Sequence, residues 1–132
     1  MTKGISTAII AVLAAIVLVN VTQYINQGKN AAIKGNLATV LTNGAVFFDQ
    51  NGNYTGFCAN PFFTNPSAAI TAAGGTATCT VNVGSTAWCA CSTLKTTTGD
   101  PAGSTFCVDS TGTKKVTTTA CATECPAAGV CV

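Results

Sequence analysis

The residues best equipped for chemistry are eight cysteines, Cys58, Cys79, Cys89, Cys91, Cys107, Cys121, Cys125 and Cys131, all in the C-terminal part of a 132-residue chain. Sulfur offers disulfide crosslinks, metal ligation by thiolate, or redox catalysis. No C-x-x-C pair occurs, so the usual dithiol redox motif is missing. Zinc held by Cys89-x-Cys91 and Cys121-x3-Cys125 is a competing reading, but a one-residue gap fits common zinc sites poorly and the chain has no His. Such a density of cysteine in a short domain reads as a disulfide scaffold formed outside the cytoplasm. Eight cysteines allow many connectivities, and their spacing does not choose among them. Acid–base catalysis without His needs carboxylates that work together, and Asp49, Asp100, Asp109 and Glu124 share no motif. No enzyme, no metal site and no cofactor are expected.

Composition narrows the partners. Charged residues make up 8% of the chain, against about 25% in an average domain. There is no Arg, one Glu, and six scattered Lys for a net charge of +2, which gives no footprint for nucleic acid. Solubility must come from Thr, Ser, Asn and backbone, or the apolar surface must be covered by neighbours.

The elements that hold the cysteines are short and β-like. Alternation over Ala77–Val83, Ala87–Cys91 and Thr105–Val108 predicts three strands, with Lys115–Thr119 a weaker fourth. Gly84-Ser85 and the run Gly99-Asp100-Pro101-Ala102-Gly103 supply turns. Residues two apart in a strand share a face, so Cys89 and Cys91 cannot easily bridge to each other and should have different partners. Cys121 to Cys131 reads as an irregular tail tied back to the sheet. Thr crowds residues 93–123 as solvent-facing strand positions do, with O-linked sugar as the alternative. The N-linked sequons Asn53-Tyr54-Thr55 and Asn20-Val21-Thr22 are short matches of little weight. The aromatics Phe47, Phe48, Tyr54, Phe57, Phe62, Phe63 and Trp88 are expected to form the head's core.

Ahead of the head lies a long helical pattern. No charge occurs from Gly4 to Gly28, and Ala8 to Val19 is apolar without a break. With Tyr24 as an interfacial anchor this length suits a membrane span of about 20 residues, and Lys3 marks its cytoplasmic end. A cleaved secretory signal is the alternative, though no small-x-small site follows. Farther on, Ile33, Leu37, Val40, Leu41 and Phe48 return to one helix face while Lys34, Asn36 and Thr39 leave it. No Pro precedes Pro61, and Asn51-Gly52 supplies a C-terminal stop. The expectation is one helix over roughly residues 5–50, apolar all round in its first half. Gly28 and Gly35 share a face and either admit another backbone or merely soften the helix, as Gly44 would. Ala11 and Ala15 form a small-xxx-small pair.

These features resemble type IV pilins and related filament subunits. The resemblance rests on Ala8-Ile9-Ile10-Ala11-Val12-Leu13-Ala14-Ala15-Ile16, on Asn30-Ala31-Ala32-Ile33-Lys34-Gly35-Asn36-Leu37, and on the helix exit Phe47-Phe48-Asp49-Gln50-Asn51-Gly52-Asn53-Tyr54. Trp88-Cys89 and Phe106-Cys107-Val108-Asp109-Ser110-Thr111-Gly112 extend it loosely into the head. The resemblance implies an α+β fold, a long N-terminal helix carrying a small disulfide-rich antiparallel β head. It further implies a leader or N-terminal segment 1–4, a helix 5–52 divided into a membrane or filament-core part 5–25 and an amphipathic part 26–52, and a head 53–132. Lys3-Gly4-Ile5-Ser6 is similar to an archaeal-type leader junction, cut between Gly4 and Ile5 by a prepilin peptidase. Two departures stand out. The Glu that bacterial pilins carry near the mature start has no counterpart before Asp49, so a freed Ile5 amine would lack an acidic partner. No Pro, and no Gly between Ile5 and Gln27, interrupts the helix, so it should be continuous.

The expected role is a structural subunit of an extracellular pilus-like filament that polymerises with copies of itself. Its core helix would comprise Ile5, Ala8, Ile9, Val12, Leu13, Ile16, Val17 and Val19. Before assembly the subunit would sit in the cytoplasmic membrane and meet a peptidase and assembly machinery. The alternative is a membrane-anchored cysteine-rich binding module or minor pseudopilin.

Overall fold

The computed structural model describes the backbone of residues 2–132 and the side chains of residues 8–15 and 21–132. Helix α1 runs unbroken from Thr2 to Asn51, about 75 Å at 1.5 Å per residue. It stops where expected. Gly52 takes φ +75° and its N–H returns to the Phe48 carbonyl at 2.7 Å, a left-handed cap that a residue with a Cβ adopts only at a cost.

A single 3-10 turn, Phe57–Ala59, leads into helix α2, Pro61–Ala72. The expectation for this stretch was β-type runs and turns, and α2 corrects it. Asn60 caps α2 by accepting the Phe62 N–H at 3.0 Å, and Pro61 occupies the first turn, where no N–H is needed. Pro66 does fall inside the helix and leaves the Phe62 carbonyl without its usual donor. Asn43 of α1 supplies the missing bond, donating Nδ2 to that carbonyl at 2.8 Å. The proline reads as a breaker in isolation because the group that repairs it lies in another helix.

Four strands follow as an antiparallel meander in the order β1-β2-β3-β4: β1 Ala77–Val81, β2 Trp88–Thr93, β3 Thr105–Asp109 and β4 Lys114–Thr117. β1 ends two residues early because Asn82 turns the chain, its Oδ1 accepting the N–H groups of Thr86 and Ala87. Register places Cys91 opposite Cys107 and Cys89 opposite Asp109. A short helix α3, Cys121–Glu124, sits at the start of the tail.

The sheet separates two interiors. Trp88, Ala90, Phe106 and Val108 point to the helices and pack with Ile33, Leu37, Val40 and Phe47 of α1, with Tyr54 and Phe57, and with Phe63 and Ile70 of α2. Cys89, Cys91 and Cys107 point the other way, onto Cys121 and Cys125. Period-two alternation along β2 and β3 thus divides an apolar core from a sulfur core. One helix position differs from expectation. Phe47 enters the core, whereas Phe48 is 43% exposed and leans on the Tyr54 ring at 5.1 Å. The stripe 33, 37, 40, 44, 47 alternates steps of four and three, and Phe48 lies 100° past it.

Candidate functional site

The cysteines are all paired: Cys58–Cys79, Cys89–Cys125, Cys91–Cys121 and Cys107–Cys131. Cys89 and Cys91 share a face and take different partners, as strand geometry requires. The zinc reading would have used the same four sulfurs that instead form two of these bridges. Three bridges fasten the tail to β2 and β3, and the fourth ties the 3-10 turn to β1.

The carboxylates hold the head together. Asp109 is buried at the β3–β4 turn. Its Oδ1 accepts the N–H of Thr111 (2.9 Å) and of Thr113 (3.2 Å) and the Thr111 hydroxyl (2.5 Å), and its Oδ2 accepts the Cys131 N–H at 2.9 Å. Burial alone would raise its pKa. The bonds from Thr111, Cys131 and Thr113 outweigh that and hold it below the ordinary 3.8. Glu124 is buried beside the sulfur core, with Oε1 2.6 Å from Lys115 Nζ but poorly aligned for a hydrogen bond. Asp49 stands exposed at the foot of α1, without an ion pair or hydrogen bond among the described residues. Among the described residues no three His, Cys, Asp or Glu side chains gather to hold a metal ion.

How the head grips α1 was not apparent from sequence. Asn30 is buried and clamps the backbone of Lys95, donating Nδ2 to its carbonyl and accepting its N–H, both at 2.7 Å. Asn30 Nδ2 also reaches Asp100 Oδ2 at 3.0 Å, and Lys34 Nζ meets the same oxygen at 3.1 Å. Asn26 donates to the Thr96 carbonyl, and Gln23 accepts from Thr98. The one available signal was a carboxamide three residues before Ile33, in phase with the apolar stripe. A buried amide must find partners.

Above that grip α1 stands clear of its own head. Ala8, Ile9, Ile10, Val12 and Leu13 are exposed, Ile10 by 65%, and so are Val21, Tyr24 (72%) and Ile25. Of the expected core-helix residues, Ala8, Ile9, Val12 and Leu13 are therefore uncovered. Ile5, Ile16, Val17 and Val19, and the junction Gly4-Ile5, lie outside the described side chains. Among the described residues no helix is long and apolar enough to cross a membrane. The helix glycines differ sharply. A Cβ on Gly28 or Gly35 would meet nothing within 4 Å, whereas on Gly44 it would strike the Trp88 ring at 2.7 Å. Gly44 exists for the head, and the other two face open space.

No protein-family model, no curated protein and no solved structure matches this chain. The uncovered residues 8–15 of α1, with Val21, Tyr24 and Ile25, are the feature left without a purpose inside the molecule. They are the candidate functional surface.

Proposed function

We propose that the chain is the repeating subunit of an extracellular filament, polymerising through the N-terminal half of α1. The observation that carries this reading is the exposure of Ile9, Ile10, Val12 and Leu13 together with Val21, Tyr24 and Ile25 on a helix whose head ends near Gln23. At about 25 cal/mol per Å² such side chains gain strongly from leaving water. Their own head does not reach residues 8–15, so the cover must be lipid or copies of the chain.

The rest of the chain suits that role. Apolar residues on every side of a helix fit the interior of a bundle. Four disulfides let a head poor in charge persist outside the cell. Before assembly the same helix, completed by residues 16–20, holds the subunit in the cytoplasmic membrane, with a cut after Gly4 releasing Ile5. The chain is not an enzyme in this reading, because its buried carboxylates are already occupied in holding turns and loops.

Negative-stain microscopy of sheared surface material, with the chain identified by mass spectrometry, tests the proposal. Filaments containing this chain are expected. Its recovery only as a membrane-bound monomer would favour an anchored cysteine-rich module instead.

A further inference from the structure

Asp49 is the one side-chain carboxylate among the described residues that has no ion pair or hydrogen bond. The other three are buried against donors or cations: Asp100 with Lys34 and Asn30, Asp109 with four donors, Glu124 with Lys115. In a chain with so few charges, Asp49 stands exposed beside the exposed Val46 and Phe48, open to a cation of another molecule. Lys29, Lys95 and Lys114 are the described cations without an ion pair. Lys95 lies folded over Gly74, its Cε 2.5 Å from where a Cβ there would sit, and Lys114 belongs to the head. Lys29 is exposed on α1 itself, next to the exposed Ile25.

We infer that Asp49 of one subunit pairs with Lys29 of a second copy, fixing the axial stagger between neighbouring helices at 20 residues, or about 30 Å at 1.5 Å per residue. The inference rests on the filament reading and adds its register. Three arguments carry it. Twenty residues at 100° each place the two side chains about 160° apart around α1, so one side of a helix presents the cation and nearly the opposite side the anion. Complementary groups on opposite faces make a heterologous contact, which propagates into a filament instead of closing into a dimer. The stagger also leaves about 30 residues of helix shared between neighbours, running the uncovered apolar segment 8–15 beside residues 28–35 of the next copy. Pairing Asp49 with Lys3 would leave almost no shared helix. The ion pair is solvent-facing and sets register more than affinity, because apolar contact can slide and charge pairing cannot.

Within one molecule Lys29 and Asp49 can never meet, since one rigid helix holds them about 30 Å apart. A carbodiimide, which joins an amine to a carboxylate only when they already touch, therefore reports their contact unambiguously. Filaments isolated from native cells should yield a Lys29–Asp49 crosslinked peptide that disappears once detergent dissociates them. Lys34–Asp100 and Lys115–Glu124 links, in contact within each subunit, serve as internal controls. Control links without the Lys29–Asp49 peptide, or Asp49 joined to Lys95 or Lys114, would overturn the register while leaving the filament intact. Absence of any filament would overturn both. Independently, Lys29→Glu and Asp49→Lys should each lower pelletable polymer about fivefold, the scale of an exposed ion pair, and the double exchange should restore it to within twofold. Trp88 fluorescence, reporting an intact head, should not change. Single variants that assemble normally, or a double exchange that fails to rescue, would contradict the pairing.

Discussion

At the residue scale, identical substitutions at two glycines of α1 should act in opposite directions. Gly44 lies under Trp88, and a methyl there would overlap the indole ring at 2.7 Å. Forcing apart a packed core costs about 1–3 kcal/mol, more than the ~1 kcal/mol of helix propensity that alanine returns. Gly44→Ala should therefore lower the denaturation midpoint and shift the emission of the single tryptophan. Gly35→Ala meets nothing and should raise stability by up to about 1 kcal/mol in the same assay. Asp109 makes a second test. Its folded pKa lies below its ordinary value, so the unfolded chain takes up the proton first as pH falls. Its contribution is complete above pH ~5 and fades as pH drops through the lowered folded pKa. Asp109→Ala should cost roughly 2–4 kcal/mol near neutral pH by stranding its donors. It should also flatten the acid limb of a stability-versus-pH curve. Sequence pattern found neither role. Gly44 reads as one softening glycine among three, and Asp109 as a carboxylate that shares no motif, because the groups that give them purpose are distant in the chain.

At the element scale, what was legible followed local periodicity and what was missed depended on a partner element. The unbroken α1, its stop at Gly52 and the four strands all lie in short-range pattern. The separate partners of Cys89 and Cys91 followed from strand alternation alone. α2 was missed although Asn60-Pro61 is a helix start, because Pro66 falls inside it and the Asn43 amide that repairs the Phe62 carbonyl lies in α1. The same residue yields a prediction. Asn43→Ala should cost about 1–3 kcal/mol by leaving that carbonyl unpaired, and hydrogen exchange should rise in α2 more than in the sheet. The choice of Phe47 over Phe48 was a matter of helical phase, since adjacent positions differ by 100° and both are aromatic. The tail has little secondary structure of its own and is held by three bridges. Replacing Cys107 and Cys131 together by Ser should cost about 3 kcal/mol, from a loop of 24 residues. Limited proteolysis should then cut near residues 126–132 while the sheet stays protected.

At the scale of the whole molecule, two surfaces of different character share one helix. From Gln23 onward α1 is part of a stapled head. Before that point residues 8–15 and Val21 are apolar and uncovered, and the helix extends away as a rod. Deleting residues 1–20 should leave Gln23, Asn26 and Asn30 in place and give a folded monomer whose four disulfides still form. The account stands or falls on whether the intact rod can tolerate water alone. The most direct measurement is sedimentation velocity on the full-length chain, purified in detergent and then exchanged into plain buffer. We predict that no stable monomer survives the exchange and that large polymers form, dissolving again when detergent returns. A single monodisperse species of about 13 kDa, persisting at micromolar concentration, would contradict it.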